Sequence, residues 1–152
     1  MRSVENTINY LYNEFDFFVV TRNHDVGNTK PYSNIRLSQW HKVGKSRVMY
    51  LDSKLSSFKN ICTTVNLTPH DVIHLNSFFD PLSIKVLLGK KIDKIKGGPI
   101  VLSPRGEFGW ASLRIRFYKK LIYILIARLF GIFDGIKWHA SVIHEKNDIM
   151  KI

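Results

Sequence analysis

Asp71-Val-Ile-His-Leu-Asn-Ser-Phe-Phe79 and Pro99-Ile-Val-Leu-Ser-Pro-Arg-Gly-Glu-Phe108 are the two segments that decide the fold. In each of them a short apolar run ends abruptly in polar residues. The carboxyl ends of parallel strands line the crevice in which open α/β sheets bind their ligands. We therefore expect the polar residues after the two runs to share one crevice: Asn76, Ser77, Arg105, Gly106 and Glu107.

Around these segments, strand-like runs alternate with longer segments of helical period, a pattern typical of βαβ units and a parallel sheet. The predicted strands are rich in Val, Ile, Leu or Phe, as strands covered on both faces must be. They are Phe15 to Val20, Arg47 to Leu51, Asp71 to Leu75, Pro99 to Ser103 and Ile136 to Ser141. The predicted helices are Ser3 to Asn13, Ser53 to Leu67, Pro81 to Ile95, Ala111 to Phe130 and a short one from Val142.

The helix predicted from Pro81 has the clearest local signals. Asp80 can cap its free amides, and Pro81 suits the first helical position. Its apolar residues fall on one face at helical spacing: Ile84, Leu87, Leu88, Ile92 and Ile95.

A long connection is predicted from Arg22 to Lys45, with turn formers that include Gly27, Pro31 and Gly44. Connections of this length in compact domains are usually functional or disordered. We expect this one to cover the crevice.

Composition limits the possible partners. With 152 residues, 45% of them hydrophobic, the chain has material for one domain. Its 23 basic and 12 acidic residues give a formal net charge of +11. Such a charge favours nucleic acid, anionic lipid headgroups or a nucleotide-activated substrate, and by itself does not choose among them.

Export and membrane spanning are not expected. Cys62 is the only cysteine, which fits a reducing cytosolic compartment. The amino-terminal residues contain no apolar stretch that could act as a signal peptide. The longest apolar run, Leu121 to Ala127, is closed by Arg128 and is far shorter than the roughly 20 residues of a spanning helix.

Several familiar sites are also not expected. No Gly-x-Gly-x-x-Gly or Gly-x-Ser-x-Gly motif occurs. Val43-Gly-Lys-Ser46 lacks the upstream glycine of a phosphate-binding loop and follows no predicted strand. His139 and His144 fall on different faces of any helix, and no cysteine cluster supports them, so no metal site is expected.

Five segments together resemble a known family. They are Ser3-Val-x-Asn-x-Ile-x-Tyr-Leu11, Glu14 to Asp25, Leu75-Asn-Ser-Phe-Phe79, Pro104-Arg-Gly-Glu-Phe108, and Trp138-His-Ala-Ser141 with Glu145. In this combination the chain resembles the N-terminal domain of bacterial family 4 glycosyltransferases. These are GT-B enzymes, in which two Rossmann-like domains face each other across a cleft, and they are often encoded with capsule, O-antigen or exopolysaccharide genes.

The resemblance implies a Rossmann-like parallel sheet with helices on both faces, in a partial acceptor-side domain covering residues 1–152. In the family, a strand and a Gly-Gly loop precede the helix that begins here near Ser3, and that strand lies in the middle of the sheet. The donor-binding C-terminal domain, with its Glu-x7-Glu motif, follows the region around Glu145. Both are expected to be missing here, so the chain alone is not expected to transfer sugar.

The reaction implied for the intact enzyme is retaining transfer of a sugar from a nucleotide-sugar donor to a glycan or lipid-linked acceptor. No metal is obligatory and no cofactor is expected, since the nucleotide sugar is a substrate. The location implied is cytoplasmic, at the inner face of the cell membrane.

Two readings stay open for each residue after the second segment. Arg105 either holds a phosphate of the donor or acceptor through its planar fork, or is a surface arginine paired with Glu107. Glu107 either accepts a hydrogen bond from a sugar hydroxyl or caps the next helix. Gly106 either permits close backbone approach or serves a turn that needs positive φ.

The remaining candidates line the same implied cleft. Asn76 and Ser77 either bind acceptor hydroxyls or provide turn and cap chemistry ahead of Asp80. Ser141 and Glu145 match a Ser-x-x-x-Glu that ends the family's N-terminal domain, where Glu145 either faces the cleft or caps the last helix.

The loop after the first predicted strand contributes three more residues, Arg22, His24 and Asp25, because this loop faces the cleft in the family. For His24 the alternative is a solvated loop residue.

The predicted helix after Phe108 begins with four basic residues, Arg114, Arg116, Lys119 and Lys120, and continues into an apolar stretch. A basic, aromatic-bearing helix of this kind can lie in an anionic membrane surface. The alternative is a helix buried against the sheet with a solvated basic start.

Two further function classes remain as alternatives. A nucleic-acid-binding domain is not favoured, because the basic residues are scattered and no nucleic-acid motif occurs. A non-catalytic remnant, or an oligomer that self-associates where the middle strand is missing, is compatible with the same ancestry, since an exposed sheet edge invites pairing.

Overall fold

Helices and strands alternate along the chain in the computed structural model, which describes residues 2–25, 27–28 and 30–152. The expected mixed α/β class is confirmed. The expected parallel sheet is found in part among these residues: the strands form two three-stranded sheets, of which one is all parallel and the other contains an antiparallel strand. One sheet belongs to each of two structural units, Met1–Asn60 and Ile61–Ile152. Val26 and Thr29, in the predicted long connection, lie outside the described residues.

The first unit contains four elements. They are α1 (Arg2–Leu11), β1 (Phe17–Arg22), β2 (Trp40–Val43) and β3 (Ser46–Leu51). The strand order is β1-β3-β2, with β1 parallel and β2 antiparallel to β3. Strand β1 therefore has one strand neighbour and lies at a sheet edge in the described part of the chain.

Strand β2 corrects the prediction of an unstructured connection up to Lys45. Gly44, with φ of 55°, begins a two-residue hairpin loop that brings Val43 opposite Ser46. The Val43-Gly-Lys-Ser46 segment thus follows a strand, contrary to the sequence prediction. It also leads into a strand rather than a helix, so it is a hairpin and not a phosphate-binding loop.

The second unit contains the remaining elements, with the first helix crossing the boundary in sequence. They are α2 (Phe58–Leu67), β4 (Ile73–Asn76), α3 (Pro81–Lys91), β5 (Ile100–Ser103), α4 (Trp110–Arg114), α5 (Phe117–Leu129), β6 (Lys137–Trp138) and α6 (Ile143–Ile149). The sheet order is β4-β5-β6 and all three strands are parallel. Strand β4 lies at one edge of this sheet.

The two faces of the second sheet differ in chemistry. Strand register places Leu75, Leu102 and Trp138 side by side on one face, which is apolar. Side chains alternate between faces along a strand, so the neighbours of these residues point to the other face, which is largely polar. The polar face carries His74, Asn76, Val101, Ser103 and Lys137. Only one face of this sheet therefore has the apolar character predicted for both.

Helix α3 begins as predicted and ends earlier. The Asp80 side chain accepts from Leu82 N at 2.8 Å, and Pro81 is the first helical residue. The helix stops at Lys91, because Ile95 N turns back to the Gly89 carbonyl at 3.0 Å. Leu88 and Ile92, which the sequence placed on the same apolar face as Leu87, are exposed.

Two other helices depart from their predicted bounds for local reasons. Helix α2 begins at Phe58 rather than Ser53, since the Asp52 side chain accepts from Leu55 N at 2.7 Å and holds a turn. The helix predicted over residues 111–130 is broken at Arg116, whose φ is 60°. Lys120 Nζ donates to the Ser112 carbonyl at 2.7 Å, which satisfies an acceptor near the end of α4.

Phe78 is the centre of the core in the second unit. It is 0% exposed. Its ring lies 5.0–6.0 Å from those of Phe79, Phe108, Tyr123, Phe133 and Trp138. The cluster joins the loop after β4 to the loop after β5, to α5 and to β6. It therefore fixes the positions of the loops that carry the predicted crevice residues.

We expect Phe78→Ala to lower the free energy of unfolding by about 3–5 kcal/mol, because it leaves a cavity among five aromatic rings. Urea denaturation followed by circular dichroism measures the change. Phe130→Ala is the matched control, since Phe130 is 63% exposed, and its effect should stay below about 1 kcal/mol. Equal losses in the two variants would contradict the central role of Phe78.

Candidate functional site

Glu107 binds the loop that follows β4. Its Oε1 accepts from Ser77 Oγ at 2.6 Å, and its Oε2 accepts from Phe78 N at 2.5 Å and Phe79 N at 3.2 Å. Ser77 Oγ in turn accepts from Asp80 N at 3.1 Å, ahead of α3. No side chain caps α4, the helix that follows Glu107. The carboxylate thus holds the turn between β4 and α3.

Glu145 binds the loops that follow the other two strands. Its Oε1 accepts from Gly106 N at 2.7 Å, and its Oε2 accepts from Ser141 N at 2.6 Å. Glu145 is 5% exposed, and burial alone raises the pKa of its carboxyl group. The hydrogen bonds from Ser141 and Gly106, together with the Arg105 charge, outweigh burial and lower the pKa below its usual value.

Arg105 lies between Asn76 and Ser141. Its Nε and Nη2 donate to Asn76 Oδ1 at 3.2 and 2.8 Å, and its Nη1 donates to Ser141 Oγ at 3.0 Å. Within the described residues it forms no ion pair with Glu107. The guanidinium therefore keeps its charge without a directly paired carboxylate, and two of its five N–H groups have no partner in these bonds.

Two of these residues have backbones that L-amino acids rarely adopt. Ser77 has φ of 92° and Arg105 has φ of 56°. Non-glycine residues with positive φ cluster at functional sites, where surrounding contacts hold the strain. Gly106, with φ of 76°, occupies a conformation that suits glycine. The strain lies at the ends of β4 and β5, where the predicted crevice residues meet.

A second polar row, formed by His74, Ser103 and His139, lies beside Arg105, and sequence reasoning missed it. His74 Nε2 and His139 Nδ1 each lie 2.8 Å from Ser103 Oγ. Ser103 is 0% exposed, whereas both histidines reach solvent. Partial desolvation of the ring, followed by the charges of Arg105 and His139, lowers the pKa of His74. The alternation of apolar and polar residues along β4 was the only available signal for this row.

The structure thus brings seven of the predicted residues together at the carboxyl ends of the second sheet. They are Asn76, Ser77, Arg105, Gly106, Glu107, Ser141 and Glu145. All seven are in the second unit.

The three other predicted site residues belong to the first unit. Arg22 ends β1. His24 Nδ1 lies 2.8 Å from the side-chain oxygen of Asn23. Asp25 accepts from the Tyr32 hydroxyl at 2.6 Å, and this bond raises the pKa of Tyr32 to about 12.

The predicted membrane-surface residues lie on α4, α5 and the link between them. Arg114, Arg116 and Lys119 are exposed, whereas Lys120 folds back onto Ser112 and lies 4.8 Å from the Phe79 ring centre. In α5 only Ile124 and Ala127 are buried. Its large exposed side chains are Phe117, Tyr118, Leu121, Ile122, Leu125, Ile126 and Leu129. A helix buried against the sheet was the alternative prediction. In the structure this burial applies only to a narrow stripe of α5.

A cavity of about 230 Å³ lies near the start of β5, away from the strand ends that carry the site. Its lining includes Leu87, Ile100 and Ile132, together with Lys91 and Asp134, which form an ion pair at 3.1 Å. Across residues 2–25, 27–28 and 30–152, no three His, Cys, Asp or Glu side chains are grouped to hold a metal ion. In the same residues no helix has the length and apolarity needed to cross a bilayer.

Comparisons with protein-family models, with curated proteins and with solved structures found no match to the chain.

Glu145 makes the stability of the fold depend on pH. Because its folded-state pKa is below the ordinary value of 4.5, its contribution is fully present above that value. The contribution is lost as the pH falls through the lowered pKa. We expect Glu145→Gln to lose about 1–3 kcal/mol of unfolding free energy near neutral pH and less in acid.

Urea denaturation across this pH range measures the difference between the two proteins. Glu14→Gln is the control, because Glu14 is exposed, and it should change stability by less than about 0.5 kcal/mol. A loss in Glu145→Gln that is the same at acid and neutral pH would contradict the role of the ionised carboxylate.

Proposed function

We propose that the chain is the acceptor-side half of a retaining GT-B glycosyltransferase of surface-polysaccharide biosynthesis. One observation carries the proposal. The segments Asn76–Phe79, Arg105–Phe108 and Ser141 with Glu145, which resemble that family, are hydrogen-bonded to one another at the ends of three parallel strands. Residues far apart in sequence meet in the place where α/β sheets bind ligands.

The chemistry of the cluster supports a polyhydroxylated ligand with a phosphate. Asn76 and Ser141 carry short polar side chains of the kind that bind sugar hydroxyls. Arg105 adds a planar, permanently charged fork that suits phosphate oxygens. Glu107 and Glu145 are already engaged with backbone amides, so they position the loops rather than bind the sugar directly.

The sheet edges support a Rossmann-like origin with one strand absent. In the common strand order of Rossmann folds, the first strand pairs with the second and with the fourth. Strands β1 and β4 correspond to these neighbours, and each has only one strand partner among the described residues. An open edge on each of these two strands is compatible with that strand order.

In this proposal the chain supplies the acceptor side of a cytoplasmic enzyme at the inner face of the membrane. The nucleotide-sugar donor and most stabilisation of the departing diphosphate belong to the other domain. The chain alone is then inactive and keeps acceptor binding. Self-association through the open edge of β4 is the corresponding non-catalytic alternative.

An anionic membrane surface fits the α4–α5 region as a second partner. No acidic residue occurs between Glu107 and Asp134, whereas this stretch carries five basic ones. Exposed apolar side chains beside basic ones are typical of helices that lie in the headgroup region. A lipid-linked acceptor would be reached from there.

The first test is acceptor binding, measured by saturation-transfer NMR with bacterial surface glycans, nucleotide sugars and a short oligonucleotide. We expect glycan signals that weaken at least about tenfold in Asn76→Ala, because the amide would bind the acceptor. Lys94→Ala, a change on the exposed loop after α3, is the control. Binding of the oligonucleotide alone would instead support the nucleic-acid alternative and overturn the proposal.

The second test is vesicle sedimentation with phosphatidylcholine, alone or mixed with phosphatidylserine. We expect binding to the anionic vesicles that falls as salt rises. Leu125→Glu, at a side chain that is 57% exposed, should abolish it, whereas Leu67→Glu, at 79% exposure, should not. Equal binding to neutral vesicles, or equal effects of the two changes, would contradict the α5 surface.

A further inference from the structure

Two rows of side chains connect the three strands of the second sheet, or the segments that directly follow them, at their carboxyl ends. One row is His74, Ser103 and His139, joined by two contacts of 2.8 Å. The other is Asn76, Arg105 and Ser141, joined by bonds of 2.8–3.2 Å. His74, Asn76 and Ser103 lie on β4 and β5, whereas Arg105 follows β5, and His139 and Ser141 follow β6. The rows therefore lie side by side at the carboxyl ends of the strands, where the Arg105 charge acts on His74.

The hydroxyl of Ser103 fixes how many protons the first row can hold. A hydroxyl donates one hydrogen bond and can accept others. When both histidines are neutral, Ser103 accepts from one ring and donates to the other. One of the outward nitrogens, His74 Nδ1 or His139 Nε2, then carries a proton and the other has a lone pair.

One added proton changes this arrangement without breaking either contact. The lone-pair nitrogen is protonated, so both outward nitrogens become donors, while Ser103 still donates to one ring and accepts from the other. A second proton would make both rings donate to Ser103. Its own O–H would then lack a partner, although Ser103 is 0% exposed, and an unpaired buried donor is unfavourable. The row therefore holds a single positive charge at most.

The charges around the row favour an anion. Arg105 is close enough to His74 to lower the pKa of that ring, and no carboxylate forms an ion pair with Arg105 in the described residues. Lys137 lies on the same sheet face as His74 by register. Glu107 and Glu145 are acidic groups of the same loops, but their oxygens bind Ser77 and backbone N–H groups, and Glu145 feels the Arg105 charge without a direct ion pair. The two rows together offer a fixed charge, a titratable charge and outward N–H donors.

We propose that Arg105, His74 and His139 form a phosphate-binding site at these strand ends, and that the two histidines take up one proton as the phosphate binds. The guanidinium supplies its two unused N–H groups. The protonated row supplies two more donors from the ring nitrogens. Asn76 and Ser141 orient the guanidinium and act as positioning residues.

The proposal deepens the proposed function and rests on it only for the source of the phosphate. A nucleoside diphosphate and a lipid-linked diphosphate present the same chemistry. The geometry of the two rows does not depend on either source.

NMR of the histidine ring C–H groups tests the proposal on the chain as it is, with inorganic pyrophosphate as the probe. A pH titration is recorded with and without the probe. We expect pyrophosphate to raise the apparent pKa of the His74–His139 pair by about one unit, which corresponds to about tenfold tighter binding to the protonated row. Binding should then weaken about tenfold as the pH rises through that range. Unchanged histidine titrations at saturating pyrophosphate would overturn the proposal.

Variants assign the effect to residues. Arg105→Gln should weaken pyrophosphate binding at least about tenfold, and His74→Gln or His139→Gln should remove its pH dependence. Arg128→Gln and His144→Gln, at exposed positions, are the matched controls and should bind like the parent chain. If Arg105→Gln unfolds, Arg105→Lys retains the charge without the fork and should give an intermediate affinity. Equal losses in the site and control variants would overturn the assignment.

Two further ligands show which molecule supplies the phosphate. The same measurements distinguish failure of the phosphate site from failure of the proposed function. Tighter binding of uridine diphosphate than pyrophosphate indicates a nucleotide, and tighter binding of a polyprenyl diphosphate in micelles indicates a lipid carrier. Pyrophosphate binding without any glycan binding would support the phosphate site and contradict the proposed role in sugar transfer. Glycan binding with no change in the histidine titrations would support the proposed role in sugar transfer and overturn the phosphate site.

Discussion

Two carboxylates hold together the loops that follow all three strands of the second sheet. Glu107 accepts from the backbone after β4, and Glu145 accepts from the backbone after β5 and β6. Backbone N–H groups at strand ends have no sheet partner and must be satisfied in another way. Ionised acceptors make stronger bonds to them than neutral groups do. The arrangement of these three loops therefore depends on two carboxylates whose oxygens bind the backbone.

Both carboxylates bind backbone amides, and the Arg105 charge acts on Glu145 without a direct ion pair in the described residues. Because both carboxylates are occupied by amides, neither pairs directly with Arg105, which instead lies between two neutral side chains. The apolar side of the same sheet packs on the ring of Phe78. One face of the sheet thus belongs to the core, and the other carries the polar side chains.

Local signals in the sequence were sufficient for the α/β class, for the start of α3 and for the polar strand ends. Asp80 and Pro81 act within one turn, so their effect can be read without tertiary information. Strand β2 was missed because Trp40–Val43 has no strong pattern of its own and forms through pairing with β3. The antiparallel pairing of β2 with β3 was missed for the same reason, since strand adjacency is a long-range property. The row of His74, Ser103 and His139 joins three strands, and only the register of the sheet brings these residues together.

The left-handed backbone of Arg105 has a consequence for how this position evolves. Glycine adopts a φ of 56° without the roughly 1–2 kcal/mol that another residue loses there, and asparagine adopts it more easily than arginine does. Glycine or asparagine at position 105 would relieve this strain but would lose the three hydrogen bonds to Asn76 and Ser141. An arginine that persists there among related chains would be retained for its charge and these bonds, against the preference of its own backbone. Replacement of this arginine would therefore mark a chain in which the loops after β4 and β6 are no longer linked.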